Sequence, residues 1–364
     1  MQTGFTEDQL QFRDVVSRFL TDKSPPSSVR TLMASAQGYD ENVWKQLAEE
    51  VGLAGTHLPE AYGGFGFGPI EAGIIAQEMG RHLFCGPYFS SAVMAGYAIL
   101  NSGTEAQKQT ILPDIASGIR LATLVLDDLS GSDNVGKAIR ANDDVLHGTA
   151  PIVVDAHVAE RLIVAAGEDE GVSLFAVDAG DAVIEALEGL DPTRKLSKVT
   201  LNGVAGERIG KRGGANLDLL WDQMSTVLAH EMVGGAEQLF AGTVEYMKMR
   251  VQFGRAIGSF QALKHRCADL LLELELAKAM THEAARYLAS GEGDDYAPNM
   301  AKSLASEAYL SIAKQAIQLR GGIGFTWEED THLWFKRAKA SEVFLGTPNW
   351  HRERMIKRME ASYD

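Results

Sequence analysis

The chain has 364 residues, 34 Lys+Arg against 49 Asp+Glu for a net charge of −15, and 45% hydrophobic residues. That length favours two or three structural units with a large buried core, and the acidic balance argues against a nucleic-acid or anionic-membrane partner. Two widely separated cysteines, Cys85 and Cys267, exclude a disulfide framework and a structural zinc site. Their sparse use fits a reducing cytoplasm. No apolar run approaches the ~20 residues that span a bilayer. The N-terminal stretch MQTGFTEDQLQFRD has neither a basic n-region nor an apolar h-region, so no secretory signal is expected.

Residues 1–120 read as an N-terminal helical domain. Phe12, Val15, Val16, Phe19 and Leu20 recur at helical spacing after the acidic start Thr6-Glu7-Asp8. Val43–Val51 predicts a second helix, stopped at Gly52. His57–Gly68 is too rich in glycine and proline for regular structure. Pro69 restarts a helix to about Gly80, and Ser90–Asn101 and Thr104–Ala116 predict two more.

At Leu121 the period changes, and residues 121–212 read as a middle antiparallel β domain. Short β-type runs are expected at Leu121–Leu126, Val145–Leu146, Ile152–Val154, Leu162–Ala165, Val172–Val177, Val183–Ile184 and Val199–Leu201, with turn residues between them. Residues 213–364 return to the helical period. Leu217–Tyr246, His265–Ser290 and Asn299–Arg320 are long, alanine- and leucine-rich helices, which predict a C-terminal four-helix bundle. In Leu270-Leu271-Leu272-Glu273-Leu274-Glu275-Leu276 the leucines cannot all face one neighbour, because the apolar stripe of a surface helix covers only ~100° or somewhat more. Some are expected to meet another helix layer or another subunit.

Two segments carry candidate chemistry. Met249–His265 places Arg250, Phe253, Arg255 and Gln261 in a glycine-punctuated loop between two long helices. Arginine offers a planar fork suited to phosphate oxygens, and glycine lets backbone approach a ligand. A helix–loop–helix corner with solvated arginines reads the same way. Gln318-Leu319-Arg320-Gly321-Gly322-Ile323-Gly324-Phe325 follows a helix. It reads either as a C-cap or as close backbone approach to a cofactor, and not as a dinucleotide fingerprint, since no strand precedes it.

Together these segments resemble the acyl-CoA dehydrogenase family over nearly the whole chain. The motifs are Arg250-x-x-Phe253-Gly254 with Phe260-Gln261, Gln318-x-x-Gly321-Gly322-x-Gly324-Phe325, His57–Gly66 followed by Glu78-Met79-Gly80-Arg81, and Phe344-Leu345-Gly346-Thr347. The resemblance implies an acyl-CoA dehydrogenase-like fold, FAD as cofactor, and removal of hydrogens from Cα and Cβ of an acyl-CoA thioester. It implies that Arg250, Phe253 and Gln261 hold the pyrophosphate and adenosine of a neighbouring subunit's FAD. Gln318, Leu319, Arg320, Gly321 and Gly322 are implied to pack on FAD across a subunit interface. Thr347 and Asn349 match positions on its ribityl–phosphate side.

The departures from the family pattern bear on catalysis. The family's usual glutamate base before the C-terminal Gly-Thr is here Leu345. A second group's base position, early in the first bundle helix, matches Met224. Neither can accept a proton. Glu231 lies seven residues further along that helix, ~10 Å away. It reads as a packing or interface carboxylate, or as a base if buried. The loop Leu126–Asp133 keeps the Gly-Ser-Asp end of a family flavin loop but not its Thr-Glu-Pro beginning. Ile152 and Val154 stand where the family has the Trp and Thr that cover the flavin ring. His351, beside Arg352 and Arg354, reads as a solvated helix end, and the histidines show no metal spacing.

The reading these residues support is a subunit of a heteromeric α2β2 flavin-dependent acyl-CoA dehydrogenase. A homologous subunit would supply the base and the flavin-ring pocket. Steroid side-chain CoA esters are the substrate class by analogy, and an electron-transfer flavoprotein is the expected acceptor. Two alternatives are a self-sufficient homotetrameric dehydrogenase with a non-standard base, and a non-catalytic scaffold subunit.

Overall fold

The computed structural model describes residues 4–361; Met1, Gln2 and Thr3 of the acidic N-terminal stretch lie outside the described residues. The chain opens with α1 (Glu7–Lys23), α2 (Pro26–Ala34) and α3 (Glu41–Lys45), the last continuing as a π-helical turn, Gln46–Glu50. After the glycine-rich loop come α4 (Pro69–Arg81), a π-helical segment Tyr88–Ala95, α5 (Gly96–Ser102) and α6 (Glu105–Ala116). Then follow β1 (Ala122–Val125), β2 (Arg140–Asn142), β3 (Val145–Val154), β4 (Arg161–Glu168), β5 (Gly171–Asp178), β6 (Val183–Leu187), β7 (Leu196–Ala205) and β8 (Glu207–Ile209). The remainder is α7 (Leu217–Met249), a small hairpin of β9 (Val251–Gln252) and β10 (Arg255–Ala256), then α8 (Gln261–Ser290), α9 (Ala297–Arg320), α10 (Thr331–Val343) and α11 (Pro348–Ala361). The architecture is the expected one: N-terminal helices, a central sheet and a C-terminal helical bundle.

Local chemistry explains several boundaries. Thr6 caps α1 in a capping box with Gln9, and Thr104 caps α6 with Gln107. Val145–Leu146 and Ile152–Val154, expected as separate strands, are the two ends of β3. Pro151, which has no N–H for the ladder, sits where the β3–β7 register shifts between Ala150 and Val153. The glycine-punctuated loop after α7 is partly ordered as the β9–β10 hairpin. The short helices α2, α10 and α11 have no counterpart among the helices expected from periodicity.

The chain forms two compact units. The sheet unit comprises Arg30–Ala72 and Cys85–Met224. Its eight-stranded sheet runs β6-β7-β3-β2-β4-β5-β8, with β1 beside β4. Most pairs are antiparallel; β1–β4 and β2–β4 are parallel. Val125, Ile139, Leu146, Val164, Phe175 and Val199 belong to its core.

The bundle unit comprises the N-terminal stretch to Val29, Gly73–Phe84 and the chain from Ser225 onward. Helices α8, α10 and α11 pack on α9. Small residues of α9 (Ala301, Ala305, Ala308, Ala313 and Ala316) are fully buried there. Within this unit α4 crosses α7 so closely that a Cβ on Gly80 would lie 1.8 Å from the Glu231 carbonyl oxygen, and one on Gly234 would lie 1.7 Å from that of Gln77. On α8, Leu270 and Leu274 are buried, whereas Leu271, Leu272 and Leu276 remain exposed. Among the described residues no helix is long and apolar enough to cross a membrane, and no cluster of side chains could hold a metal ion.

Candidate functional site

The structure brings the two candidate segments of the bundle unit together at one end of α7, α8 and α9. Arg250 closes α7, its N–H donating to the Tyr246 carbonyl at 2.8 Å, and its carbonyl accepts from Ile257 N–H at 2.8 Å across the hairpin. The hairpin turns at Phe253 (φ +54°) and Gly254 (φ +78°). A positive φ at both central residues is what a tight two-residue hairpin requires, and a phenylalanine seldom adopts it. The result is a phenyl ring 91% exposed, touching its own chain edge-on at Phe260. The Arg250 guanidinium is exposed and has no side-chain partner among the described residues. Arg255, by contrast, lies over the Phe260 ring, 4.0 Å from its centroid. Gln261 is exposed on the first turn of α8.

At the end of α9, Gln318 is exposed and Leu319 half-buried. Arg320 turns inward. It donates to Glu329 Oε1 at 3.0 Å and Thr243 Oγ1 at 2.9 Å, and its side chain is 8% exposed. Its carbonyl faces the Tyr246 hydroxyl at 3.4 Å, which ties this turn to the end of α7. Arg320 is thus committed to the fold, and only its backbone remains for a ligand. Gly321 (φ +64°) and Gly322 are exposed, with no atom within 4 Å of where a Cβ would stand, so backbone here is open to close approach. Phe325, the last residue of the motif, lies outside the residues whose side chains are described.

Thr347 and Asn349 are exposed at the start of α11, elsewhere in the bundle unit. The turn before them is fixed to the first half of α9. At ~1.5 Å per residue, Lys302 and Gln318 of α9 are ~24 Å apart along its axis. The site residues implied by resemblance therefore fall into two clusters, one at each end of this helix.

Neither base position holds a proton acceptor. Leu345 is fully buried, in a left-handed conformation (φ +59°), and Met224 is fully buried in α7. Glu231 is buried too, but its Oε1 accepts from Arg337 Nη1 at 2.8 Å, and the two side chains are 8% and 4% exposed. A guanidinium held against a carboxylate favours the ionised form yet ties down its lone pairs, which suits a packing role better than proton abstraction.

His351 departs from expectation. It is not a solvated helix end but fully buried, with Nε2 donating to the Leu345 carbonyl at 3.0 Å and Nδ1 3.2 Å from Asn299 Oδ1. Beside it lies a residue that periodicity did not single out. Lys302 of α9 is fully buried, and its Nζ reaches Ser341 O at 3.0 Å, Ser306 Oγ at 3.1 Å, and Glu342 O and Gly346 O at 3.4 Å. The available signal was a lysine set among the small residues Ala301, Ser303, Ala305 and Ser306, on the face that continues to Tyr309.

In the sheet unit the loop after β1 is held largely by Asp127. Asp127 accepts backbone N–H groups from Gly136 (2.8 Å), Ala138 (2.5 Å) and Ile139 (2.8 Å). Leu126 and Val154 are buried, and Ile152 is 42% exposed. Where the resemblance implies a Trp–Thr cover for the flavin ring, this chain has Ile152 and Val154. The fit to FAD is therefore uneven. The outward-facing arginine, aromatic ring and bare glycine backbone suit a dinucleotide, whereas Ile152 and Val154, at two positions the resemblance assigns to the flavin ring, are aliphatic.

Comparison with known proteins agrees with this architecture. Residues 6–119 match the acyl-CoA dehydrogenase N-terminal domain and residues 222–360 the acyl-CoA dehydrogenase C-terminal domain. The chain is 33% identical over 360 residues to the acyl-CoA dehydrogenase IpdE2 of Mycobacterium tuberculosis, covering 98% of this chain and 97% of that protein. Among solved structures, one subunit of the ChsE4–ChsE5 complex of Mycobacterium tuberculosis superposes with a TM-score of 0.89 at 27% identity, covering 99% of both chains. A Tcur3481–Tcur3483 steroid acyl-CoA dehydrogenase variant superposes at 0.88 with 29% identity, covering 98% of this chain and 99% of that one. From these matches, together with the helical–sheet–helical order of its elements, the chain belongs to the acyl-CoA dehydrogenase family.

Proposed function

We propose that this chain is the partner-dependent subunit of a heteromeric, FAD-dependent acyl-CoA dehydrogenase of α2β2 composition, acting on CoA esters of bulky, steroid-type side chains. The observation that carries the reading is an asymmetry. Both family base positions are buried and apolar, and Glu231 is bound to Arg337, while Arg250 and Phe253 are exposed. FAD, when bound, supplies the acceptor for the substrate β-hydrogen. This chain's part is to hold the cofactor's phosphate and adenosine end through Arg250, Phe253, Gln261 and the backbone of Gly321–Gly322. A homologous subunit provides the base. The substrate class leans on the steroid acyl-CoA dehydrogenase variant that this chain resembles, and an electron-transfer flavoprotein is the proposed acceptor. Two free cysteines support a reducing, cytoplasmic setting.

The test is the flavin absorbance and turnover of the chain purified alone and with a co-expressed homologous subunit. The chain alone is expected to be colourless and without dehydrogenase activity, since a general base contributes ~10²–10⁴-fold in rate. A yellow chain that turns over acyl-CoA unaided would overturn the proposal. Light scattering on the same samples is expected to show an oligomer. The exposed Leu271, Leu272 and Leu276 form part of the surface available for it.

A second expectation concerns Arg250→Ala. It should lower FAD retention by the assembled complex roughly ten- to hundredfold, the worth of one hydrogen bond to a charged group, without unfolding the chain. Arg255→Ala is the control, because Arg255 is engaged with Phe260 instead. Equal flavin loss from both variants would reduce the role of Arg250 to general electrostatics.

A further inference from the structure

Lysine is almost never fully buried without a counter-charge, yet Lys302 forms no ion pair among the described residues. Its Nζ is surrounded instead by one hydroxyl and three carbonyl oxygens, those of Ser341, Glu342 and Gly346. Ser341 and Glu342 lie in the last turn of α10, where helix carbonyls lack intrahelical partners and the helix dipole attracts a cation. Gly346 belongs to the next turn. One ammonium thus joins the end of α10 to the turn that leads into α11. That turn contains two residues with positive φ, Leu345 (+59°) and Gly346 (+101°). A leucine in this conformation persists only where the surroundings over-determine it.

The surroundings are visible. Lys302 holds the Gly346 carbonyl, and His351 holds that of Leu345. Asn299, three residues before Lys302 on α9, lies against both His351 and Arg354. Thr347 follows immediately, its Oγ1 accepting from Trp350 N–H at 3.3 Å. We infer that Lys302 is a positioning residue, which clamps the α10–α11 turn from α9 and so sets how Thr347 and Asn349 are presented to FAD. The cofactor half of this inference rests on the function proposed above and on the resemblance that puts Thr347 and Asn349 beside FAD; the clamp itself does not.

The clamp is expected to respond to pH. Burial pushes Lys302 down to about 7, with the nearby Glu342 acting in the opposite sense. The charged and titratable groups around it are Glu342 from α10 and His351 from α11, the latter also acted on by Arg354 and Arg358 of α11, while α7 presents Met232 near Ser306. His351 is itself held well below its ordinary range, first by burial and then by Lys302, so it stays neutral near pH 7. As pH rises through 7, the ammonium with three donors becomes an amine with two donors and a lone pair. The Ser306 hydroxyl is already donating to the Lys302 carbonyl at 2.7 Å, so the amine has one donor fewer for the same oxygens, and the long contacts to Glu342 and Gly346 are the ones given up. Global stability moves the other way. The unfolded chain keeps this lysine protonated to ~10.4, so between 7 and that value the unfolded state binds the extra proton and stability rises with pH.

Those opposite signs separate positioning from a merely structural role. The experiment is hydrogen exchange of the Trp350 and His351 amides, which donate to Thr347, between pH 6 and 8.5, corrected for intrinsic rates, in the wild-type chain and in Lys302→Met. Protection in wild type is expected to fall roughly tenfold across this range, about the worth of a charge-assisted hydrogen bond, while the melting temperature does not fall. Lys302→Met should show low protection at every pH, no pH step, and roughly tenfold weaker FAD retention in the co-expressed complex. A flat wild-type profile overturns the clamp, and that measurement stands even where the variant does not fold. So does a Lys302→Met profile identical to wild type. Altered exchange with unchanged FAD retention overturns the cofactor half. A complex that never binds flavin, with exchange as expected, refutes the proposed function and leaves the clamp standing.

Discussion

Arg337→Ala is expected to destabilise the chain by ~3–5 kcal/mol, because it strips the buried Glu231 carboxylate of its guanidinium partner and opens a void. The two side chains are only 4% and 8% exposed, so solvent screens little of the effect. Glu231→Gln should cost less, since the amide oxygen still accepts from Arg337 Nη1. The pair Glu231→Met with Arg337→Met should recover most of the loss, as apolar replacements of similar volume often match or exceed a buried ion pair. Denaturant midpoints of wild type and the three variants, at unchanged m, rank their stabilities. The same variants address chemistry. Were Glu231 the base, Glu231→Gln would lower turnover of the assembled complex ~10²–10⁴-fold. A change within a few-fold is expected. A large loss of turnover with flavin content and stability intact would make Glu231 catalytic and end the partner-base reading.

Much of this fold was open to a reader of residues alone, because it rests on local patterns. The long helical periods, the acidic start at Thr6-Glu7-Asp8, and the β-type runs separated by turn residues each depend on a few neighbours in sequence. Arg250, Phe253 and Gly321–Gly322 were visible for the same reason: arginine, an aromatic and glycine clustered at a break in periodicity. What stayed hidden depends on distant partners. Lys302 meets oxygens some forty residues away in α10 and the following turn, and His351 is buried by α9. Neither α10 nor α11 has a strong apolar stripe to announce how it folds back. Glu231 and Arg337 are 106 residues apart, so charge patterning within one helix could not pair them. The commitment of Arg320 to Glu329 and Thr243 was hidden for a similar reason. A resemblance of motifs marks a position as near a ligand, but it does not say whether the side chain or only the backbone is free to serve it.

Gly234→Ala is expected to cost ~3 kcal/mol or more and to abolish soluble expression in a marginally stable background. The new Cβ would stand 1.7 Å from the Gln77 carbonyl oxygen and 2.6 Å from its carbonyl carbon. These are backbone atoms of α4, which no rotamer change can move aside. The reciprocal contact is as close, since a Cβ on Gly80 would lie 1.8 Å from the Glu231 carbonyl oxygen, so the two helices cannot slide apart at one point and keep the other. Both positions carry ordinary helical backbone, which removes φ strain as an explanation and leaves close approach alone. The crossing also sets the environment of Glu231, which lies on α7 three residues before Gly234. Forcing the helices apart would open the buried Glu231–Arg337 pair to water as well as the apolar contact. Gly322→Ala serves as the folding control, because nothing lies within 4 Å of its Cβ position. Circular dichroism melts of both variants decide the matter. A Gly234→Ala protein that melts within a few degrees of wild type would show that this crossing is looser than its backbone distances require.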